Sequence, residues 1–271
     1  MTPNDIPLGL KLSKQAGLNQ TESDWLRFLS MEPDGCFVAE FSGRSVGTIT
    51  TCIFDSVGWI AMLIVEVDYR SKGIGTELFK HSLNYLERRK VETFRLDATS
   101  HGQPIYEKLG FLSEYRLARY EGIAPPTRET QVRKADLAIY TKIIEFDGLM
   151  SGTNRGKMLV RLFEEFPDDI RVVQHGEKIV GYILTRPGGN AIQIGPCYAI
   201  KEAGSVLLSD ALSRYADKMV FIDVPLDNAD AVKIVESGGL RIQRYFMRMY
   251  RGLAVKDNVN ALWAGSGPEK G

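Results

Sequence analysis

The chain has 271 residues, 34 Lys+Arg against 34 Asp+Glu, 44% hydrophobic and 25% charged residues. That is an ordinary globular composition with length for two domains of about 100–150 residues, and the balanced charge makes no global case for nucleic acid or an anionic membrane as partner. The longest apolar run, Trp59 to Val65, is far short of the ~20 residues a membrane helix needs, and residues 1 to 20 lack a basic-then-apolar secretory pattern, so a cytoplasmic location is expected.

Thr21-Glu22-Ser23-Asp24 offers helix N-caps ahead of Trp25, Phe28 and Leu29, which share one helical face. Phe37 to Phe41, a turn at Ser42-Gly43-Arg44, and Val46 to Phe54 read as a hairpin, with Val57 to Val67 a third strand. A glycine-bearing turn then leads into a helix of about residues 74 to 89, where Ile74, Leu78, Phe79, Leu83 and Leu86 recur at helical spacing. Phe94 to Ala98 is the next strand. Pro104 suits the first turn of a helix and Gly110 its C′ position, and Phe111 to Tyr120 completes the set. Ile123-Ala124-Pro125-Pro126-Thr127 reads as a linker.

A weak copy of the same plan follows. Phe37 to Gly47 resembles Arg171 to Gly181 in its glycine turn and closing Val-Gly, and Phe94-Arg95-Leu96-Asp97 with Leu109-Gly110-Phe111 resembles Val220-Phe221-Ile222-Asp223 with Gly238-Gly239-Leu240. Two domains are therefore expected, 1–127 and 128–271.

Strand, turn and helix meet at Arg70-Ser71-Lys72-Gly73-Ile74-Gly75-Thr76. A turn at a helix start aims several backbone N–H groups, at the positive end of the helix dipole, at one point, which makes an anion site. Gly73 and Gly75 let the backbone approach a ligand, while Arg70 and Lys72 add positive charge. No Lys-Ser or Lys-Thr follows Gly75, which argues against a Walker loop, and Leu78 stands where a dinucleotide fingerprint has its third glycine. The spacing that matches is Arg/Gln-x-x-Gly-x-Gly/Ala. A second segment, Leu96 to Phe111, gives a strand and a short helix ending Tyr106-Glu107-Lys108 before Leu109-Gly110-Phe111. On these two segments the chain resembles the GNAT-superfamily N-acetyltransferases.

The resemblance implies an α/β (α+β) fold of two GNAT-like domains, each a mixed, mainly antiparallel twisted sheet with helices on both faces. It is similar to the tandem type, with a catalytic first domain and a degenerate second one. The second-half counterpart of the loop, Gly195 to Ser205, lacks Arg-x-x-Gly-x-Gly, so only the first domain is expected to hold cofactor. Arg186-Pro187-Gly188, Ile194-Gly195-Pro196 and Arg244 to Gly252 carry the resemblance of the second half.

The activity implied is acetyl-CoA-dependent transfer of an acetyl group to a primary amine of a small molecule or peptide, by direct attack in a ternary complex. The main chain of Leu63, Ile64 and Val65 would pair with the pantetheine arm, and the N–H groups of Ser71 to Thr76 would hold the pyrophosphate. Arg70 and Lys72 also have a plainer reading as solvated surface charges. Tyr106 aligns with the tyrosine that protonates the coenzyme A sulfur in many relatives; its alternative is a tyrosine packed on the core. Thr99 stands where many relatives carry an Asn that binds the pantetheine arm. For the base, Glu66 is the first choice and Asp97 the second. Either could equally be a surface carboxylate at a strand end, and the counterpart of Asp97 at Asp223, in the half without the loop, suggests a structural role. A non-catalytic acyl-CoA-binding sensor is the alternative function. Cys36, Cys52 and Cys197 are scattered and odd in number, read as buried free thiols, and no metal site is expected. An oligomer is compatible with everything in the sequence.

Overall fold

The computed structural model describes residues 1–125, 132–200 and 202–270. The expected boundary between 127 and 128, with Pro126 and Thr127 of the linker, lies outside the described residues. The first half runs α1 (Ile6–Gln15), α2 (Glu22–Met31), β1 (Cys36–Phe41), β2 (Arg44–Phe54), β3 (Val57–Val65), α3 (Ile74–Arg88), β4 (Thr93–Ala98), α4 (Gln103–Lys108) and β5 (Leu112–Ile123). After β6 (Arg133–Lys134) the second half repeats that order as α5 (Tyr140–Ser151), α6 (Gly156–Glu165), β7 (Ile170–His175), β8 (Lys178–Arg186), β9 (Ile192–Ala199), α7 (Glu202–Arg214), β10 (Met219–Pro225), α8 (Ala229–Ser237) and β11 (Arg241–Gly252). A short β12 (Leu262–Ala264) closes the chain.

Local chemistry sets the element ends. Thr21 caps α2: its hydroxyl accepts from the Asp24 amide at 3.3 Å while the Asp24 carboxylate accepts from the Thr21 amide at 3.0 Å. Such a reciprocal cap satisfies two otherwise open groups and is worth about 1 kcal/mol. The apolar face of that helix, Trp25, Phe28 and Leu29, is buried in the core it shares with Leu12 of α1 and Leu159, Leu162 and Phe163 of α6. A second core lies under α3, from Leu78, Phe79, Leu83 and Leu86 against Ile49, Ile60 and Leu96, and a third lies under α7 and α8.

The sheet differs from two independent units. Among the described residues it is continuous, in the order β1-β2-β3-β4-β11-β5-β10-β9-β8-β7-β6, with β12 added alongside β9. The last strand of each half has crossed into the other. β11 lies between β4 and β5, with Met247 opposite Ala98 on one side and Phe246 opposite Leu117 on the other. β5 lies between β11 and β10, with Tyr120 opposite Ile222. Hence β5 has no strand neighbour from its own half.

Candidate active site

The parallel strands β3 and β4 pair only at Val57↔Thr93, Gly58↔Phe94 and Trp59↔Arg95, then diverge. An irregularity on the other edge of β3 accompanies the divergence: the register with β2 passes from Thr50↔Ala61 to Thr48↔Ile64, leaving Met62 and Leu63 in a bulge. Met62 sits at φ 51°, a left-handed conformation that costs a side-chain-bearing residue about 1 kcal/mol or more. The buried Thr48 hydroxyl holds it there by donating to the Met62 carbonyl at 3.0 Å.

Two cavities occupy the gap. The first, of about 310 Å³, is lined by Leu63 and Val65 of β3, by Arg70, Ser71 and Gly73 of the turn, by Ile74, Gly75 and Thr76 at the start of α3, and by Tyr106 of α4. The second, of about 140 Å³, is lined by Ile60 to Ile64, Leu96, Asp97, Thr99 and Tyr106, and also by Leu18, Gln20, Phe246, Pro268 and Glu269. Leu63 and Tyr106 belong to both walls.

The turn is built for an open helix end. Ser71 and Gly73 take φ 60° and 81°, and Gly73 caps α3 without any side-chain hydrogen bond. The Glu77 amide is the first to return to the turn, on the Gly73 carbonyl at 3.0 Å, so the amides of Ile74, Gly75 and Thr76 have no intrahelical acceptor. Gly75 needs no positive φ, and a Cβ there would meet only Val65 Cγ2, at an ordinary 3.6 Å. The fold itself therefore tolerates a side chain at this position. Arg70 Nε donates to the Val65 carbonyl at 3.0 Å, tying the turn to the strand end. Lys72 stands over the rings of Phe41 and Tyr69, 5.5 and 5.0 Å from their centroids, and is absent from the lining of the first cavity.

Tyr106 packs its ring on Phe79 and Phe111, with centroids 4.8 and 6.0 Å away. Burial pushes its hydroxyl up to about 12. Thr99 does not line the first cavity; it lines the second, and its hydroxyl accepts from the Gly102 amide at 3.3 Å in the turn before α4. Ile64 likewise faces the second cavity, whereas Val65 faces the first.

The carboxylates fall differently from expectation. Glu66 accepts a hydrogen bond from Lys11 and lines neither cavity; it lines a surface depression with Arg44, Ser45, Asp68, Tyr69 and Lys72, which shares Tyr69 with the first cavity. Strand alternation turns it away from the face Val65 presents. Asp97 does line the second cavity, but both its oxygens are taken by Arg248 at 2.8 Å. Gln20 and Glu269 had no signal in the sequence, and Phe246 stood out only within the Arg244 to Gly252 segment: they come from a loop, from the end of the chain and from the exchanged strand, and only tertiary structure joins them.

The corresponding gap in the second half is filled. β9 and β10 pair in parallel at Ile192↔Val220, Gln193↔Phe221 and Ile194↔Ile222, after which β12 pairs with β9 and the Gly265 amide donates to the Asp223 carbonyl at 2.7 Å. Trp263 buries its ring against Gly204, where any Cβ would fall 1.9 Å from it, and its indole donates to the Ala199 carbonyl at 3.1 Å. Among the described residues no cluster of three or more His, Cys, Asp or Glu could hold a metal ion. All three cysteines are buried and unpaired, and burial raises Cys36 and Cys52 to about 12.

In the first half a mixed sheet splays beside an open helix N-terminus, and the second half repeats the order of elements with its gap filled. Residues 11–111 match the model of the Acetyltransferase (GNAT) family and residues 143–264 that of the Acetyltransferase (GNAT) domain. The chain belongs to the GNAT acetyltransferases and is of the tandem type. It is 23% identical over 241 residues to the holothin acyltransferase of Pseudoalteromonas sp. (strain SANK 73390), covering 87% of this chain and 80% of that one. Over 102 residues it is 34% identical to N-alpha-acetyltransferase 30 of Xenopus laevis, which spans 34% of this chain and 37% of the relative. A solved chain from Pyrococcus horikoshii, described as a candidate acetyltransferase, is 27% identical with a TM-score of 0.84, covering 100% of this chain and 94% of that one. A tandem GNAT protein from the clavulanic acid biosynthesis pathway shares the fold at 14% identity, with a TM-score of 0.63 over 95% of this chain and 98% of its own. Among the described residues no helix is long and apolar enough to cross a membrane.

Proposed function

We propose that the protein is an acetyl-CoA-dependent N-acetyltransferase that moves an acetyl group to a primary amine of a small molecule or peptide by direct attack in a ternary complex. The observation that carries this reading is the pair of cavities that share Leu63 and Tyr106, one walled by the start of α3 and the other by β4, β11 and the end of the chain. A cofactor and an acceptor can then enter separately and react where the walls meet.

The donor set fits a coenzyme A pyrophosphate. The open amides of Ile74, Gly75 and Thr76 and the guanidinium of Arg70 supply hydrogen-bond donors and positive potential, and Gly75 leaves room for a phosphate against the backbone. Beyond Trp59 the edge of β3 that faces β4 pairs with no strand among the described residues, so the peptide groups of Leu63 and the amide of Val65, whose carbonyl is engaged by Arg70, are available to a pantetheine arm. When bound, acetyl-CoA supplies an activated thioester carbonyl. The Tyr106 hydroxyl, which holds its proton at neutral pH even at the ordinary value of 10.0 and is pushed up to about 12 by burial, would be the proton source for the departing sulfur. Glu66 would take the amine's proton only through solvent, since it lies in the depression it shares with Lys11.

Calorimetric titration with acetyl-CoA, followed by free-thiol release with a panel of primary amines, tests this reading. Peptides with free α-amino groups lead the panel because relatives of the first half are named N-alpha-acetyltransferases. Thiol release with at least one amine is expected. Binding without release from any amine would favour the acyl-CoA sensor, and no binding would overturn both.

A further inference from the structure

After β12 the chain does not leave the molecule. The Ser266 carbonyl accepts from Arg186 at 2.9 Å and the Pro268 carbonyl from the Trp59 indole at 3.2 Å, which brings Pro268 and Glu269 to the wall of the second cavity. Glu269 is 4% exposed. Its Oε1 accepts from Arg186 at 3.1 Å and from Lys270 at 2.5 Å, while its Oε2, also buried, has no partner among the described residues. Burial opposes the charge, but Lys270 and Arg186 hold the carboxyl below its usual range, so Oε2 belongs to an ionised group.

A second acceptor stands in the same cavity. Gln20, 8% exposed in the loop between α1 and α2, has its Oε1 buried and likewise without a partner among the described residues. Buried polar atoms in native proteins nearly always find partners, and two unsatisfied oxygens on side chains that line one small cavity are a donor-seeking pair. The remaining wall is largely apolar: Leu18, Ile60, Met62 and Phe246. What satisfies two acceptors, one of them anionic, inside a largely apolar chamber of about 140 Å³, whose other polar lining is Asp97, Thr99 and Tyr106, is a compact cationic group with several N–H donors.

We propose that Glu269 and Gln20 form the recognition site for the ammonium end of the acceptor, selecting a primary amine carried on an apolar stem. The proposal rests on the acetyltransferase reading above and assigns Glu269 to binding. It also gives the tail of the second half a task in the first half's chemistry. The ammonium gives two of its N–H groups to the two oxygens, and before the nitrogen attacks its third proton passes to solvent water, the route by which Glu66 would receive it.

Amine binding to the full-length protein is measured by calorimetry without acetyl-CoA, using phenethylamine, an aliphatic diamine and a short peptide with a free α-amino group as probes, each beside its N-acetylated form. The wild type should bind at least one of these amines and not its acetylated form. Glu269→Gln should weaken that amine by about tenfold or more, the size expected for losing a charge-assisted hydrogen bond in a buried site. Gln20→Leu leaves the ion cluster of Glu269, Arg186 and Lys270 intact and should weaken it by about three- to tenfold. Failure of every amine to bind the wild type, or affinity within twofold of wild type in a folded Glu269→Gln, overturns the proposal. If Glu269→Gln does not fold, unchanged affinity in Gln20→Leu overturns the shared site. Acetyl-CoA titration of the same wild-type sample separates the two readings: its failure overturns the acetyltransferase reading and leaves the amine measurement as it stands.

Discussion

Arg248 on β11 donates two hydrogen bonds of 2.8 Å to the carboxylate of Asp97 on β4, and both side chains are 2% exposed. The second half carries the mirror of this pair: Arg119 on β5 donates to Asp223 on β10 at 2.8 and 2.9 Å. In each case an acidic residue of one half clamps an arginine on the strand that has crossed from the other, and planar bidentate pairing fixes the register of the exchange. Replacing Asp97 with Ala would strand the Arg248 charge in the interior. We expect a loss of about 3–5 kcal/mol, the size found when one partner of a buried pair is removed. Urea denaturation measures it, and a loss below about 1 kcal/mol, the worth of an exposed pair, would mean the clamp is ornamental.

The exchange bears on truncation. A chain stopped at residue 125 keeps the glycine turn but loses both neighbours of β5 and the far neighbour of β4. Such a fragment should be insoluble or melt without cooperativity and should not bind acetyl-CoA. A monomeric fragment with a cooperative transition and full-length affinity would show that β11 is dispensable.

Gly75→Glu places a carboxylate where the pyrophosphate is expected. The fold accepts the side chain, because the nearest atom to its Cβ is 3.6 Å away, and a negative charge in the first helical turn is favourable by about 0.3–1 kcal/mol. Calorimetry should therefore lose its single acetyl-CoA site while the melting temperature holds or rises slightly. Retained binding would remove the anion role from this turn.

Tyr106→Phe keeps the ring contacts with Phe79 and Phe111, so stability and acetyl-CoA affinity should change little. Turnover should fall by about 10²–10⁴, the usual worth of general acid catalysis. The wild-type profile should show no alkaline limb from this tyrosine near the ordinary value of 10.0, because burial raises it to about 12. The same shift has a stability sign: the folded state holds the proton more tightly than the unfolded one, so its contribution is full below the unfolded value and is lost as pH rises through the folded one. Turnover within about threefold of wild type, under ~0.7 kcal/mol of barrier, would make Tyr106 a packing residue.

Trp263→Ala removes the ring that fills the second cleft beside Gly204. Losing a buried tryptophan should cost about 3–5 kcal/mol. Even so the stoichiometry should stay at one acetyl-CoA per chain, since the second-half turn lacks the glycine spacing of residues 70 to 75. Two sites in this variant would show that the plug alone separates the halves.

What the sequence by itself determined is local. The cap at Thr21, the helix from Ile74, the glycine turn and the repeat of element types are all written within a few residues of where they act, because dihedral preference, capping and side-chain periodicity are short-range effects. The free amides before α3 were legible for the same reason. The tertiary structure alone decided which strand lies beside which. β4 and β5 are consecutive in sequence yet parted by β11, because a buried strand edge is satisfied equally well by any strand of matching pattern, and pattern does not say whose. It also decided the acceptor wall. Gln20 and Glu269 are 249 positions apart and follow no period, so their meeting depends on β12 closing one cleft and carrying the chain end into the other. Glu66 shows the limit from the other side: adjacency to Val65 put it near the site in sequence, while the alternation of a strand and the cation of Lys11 turned its carboxylate out of the cavity where the chemistry is expected.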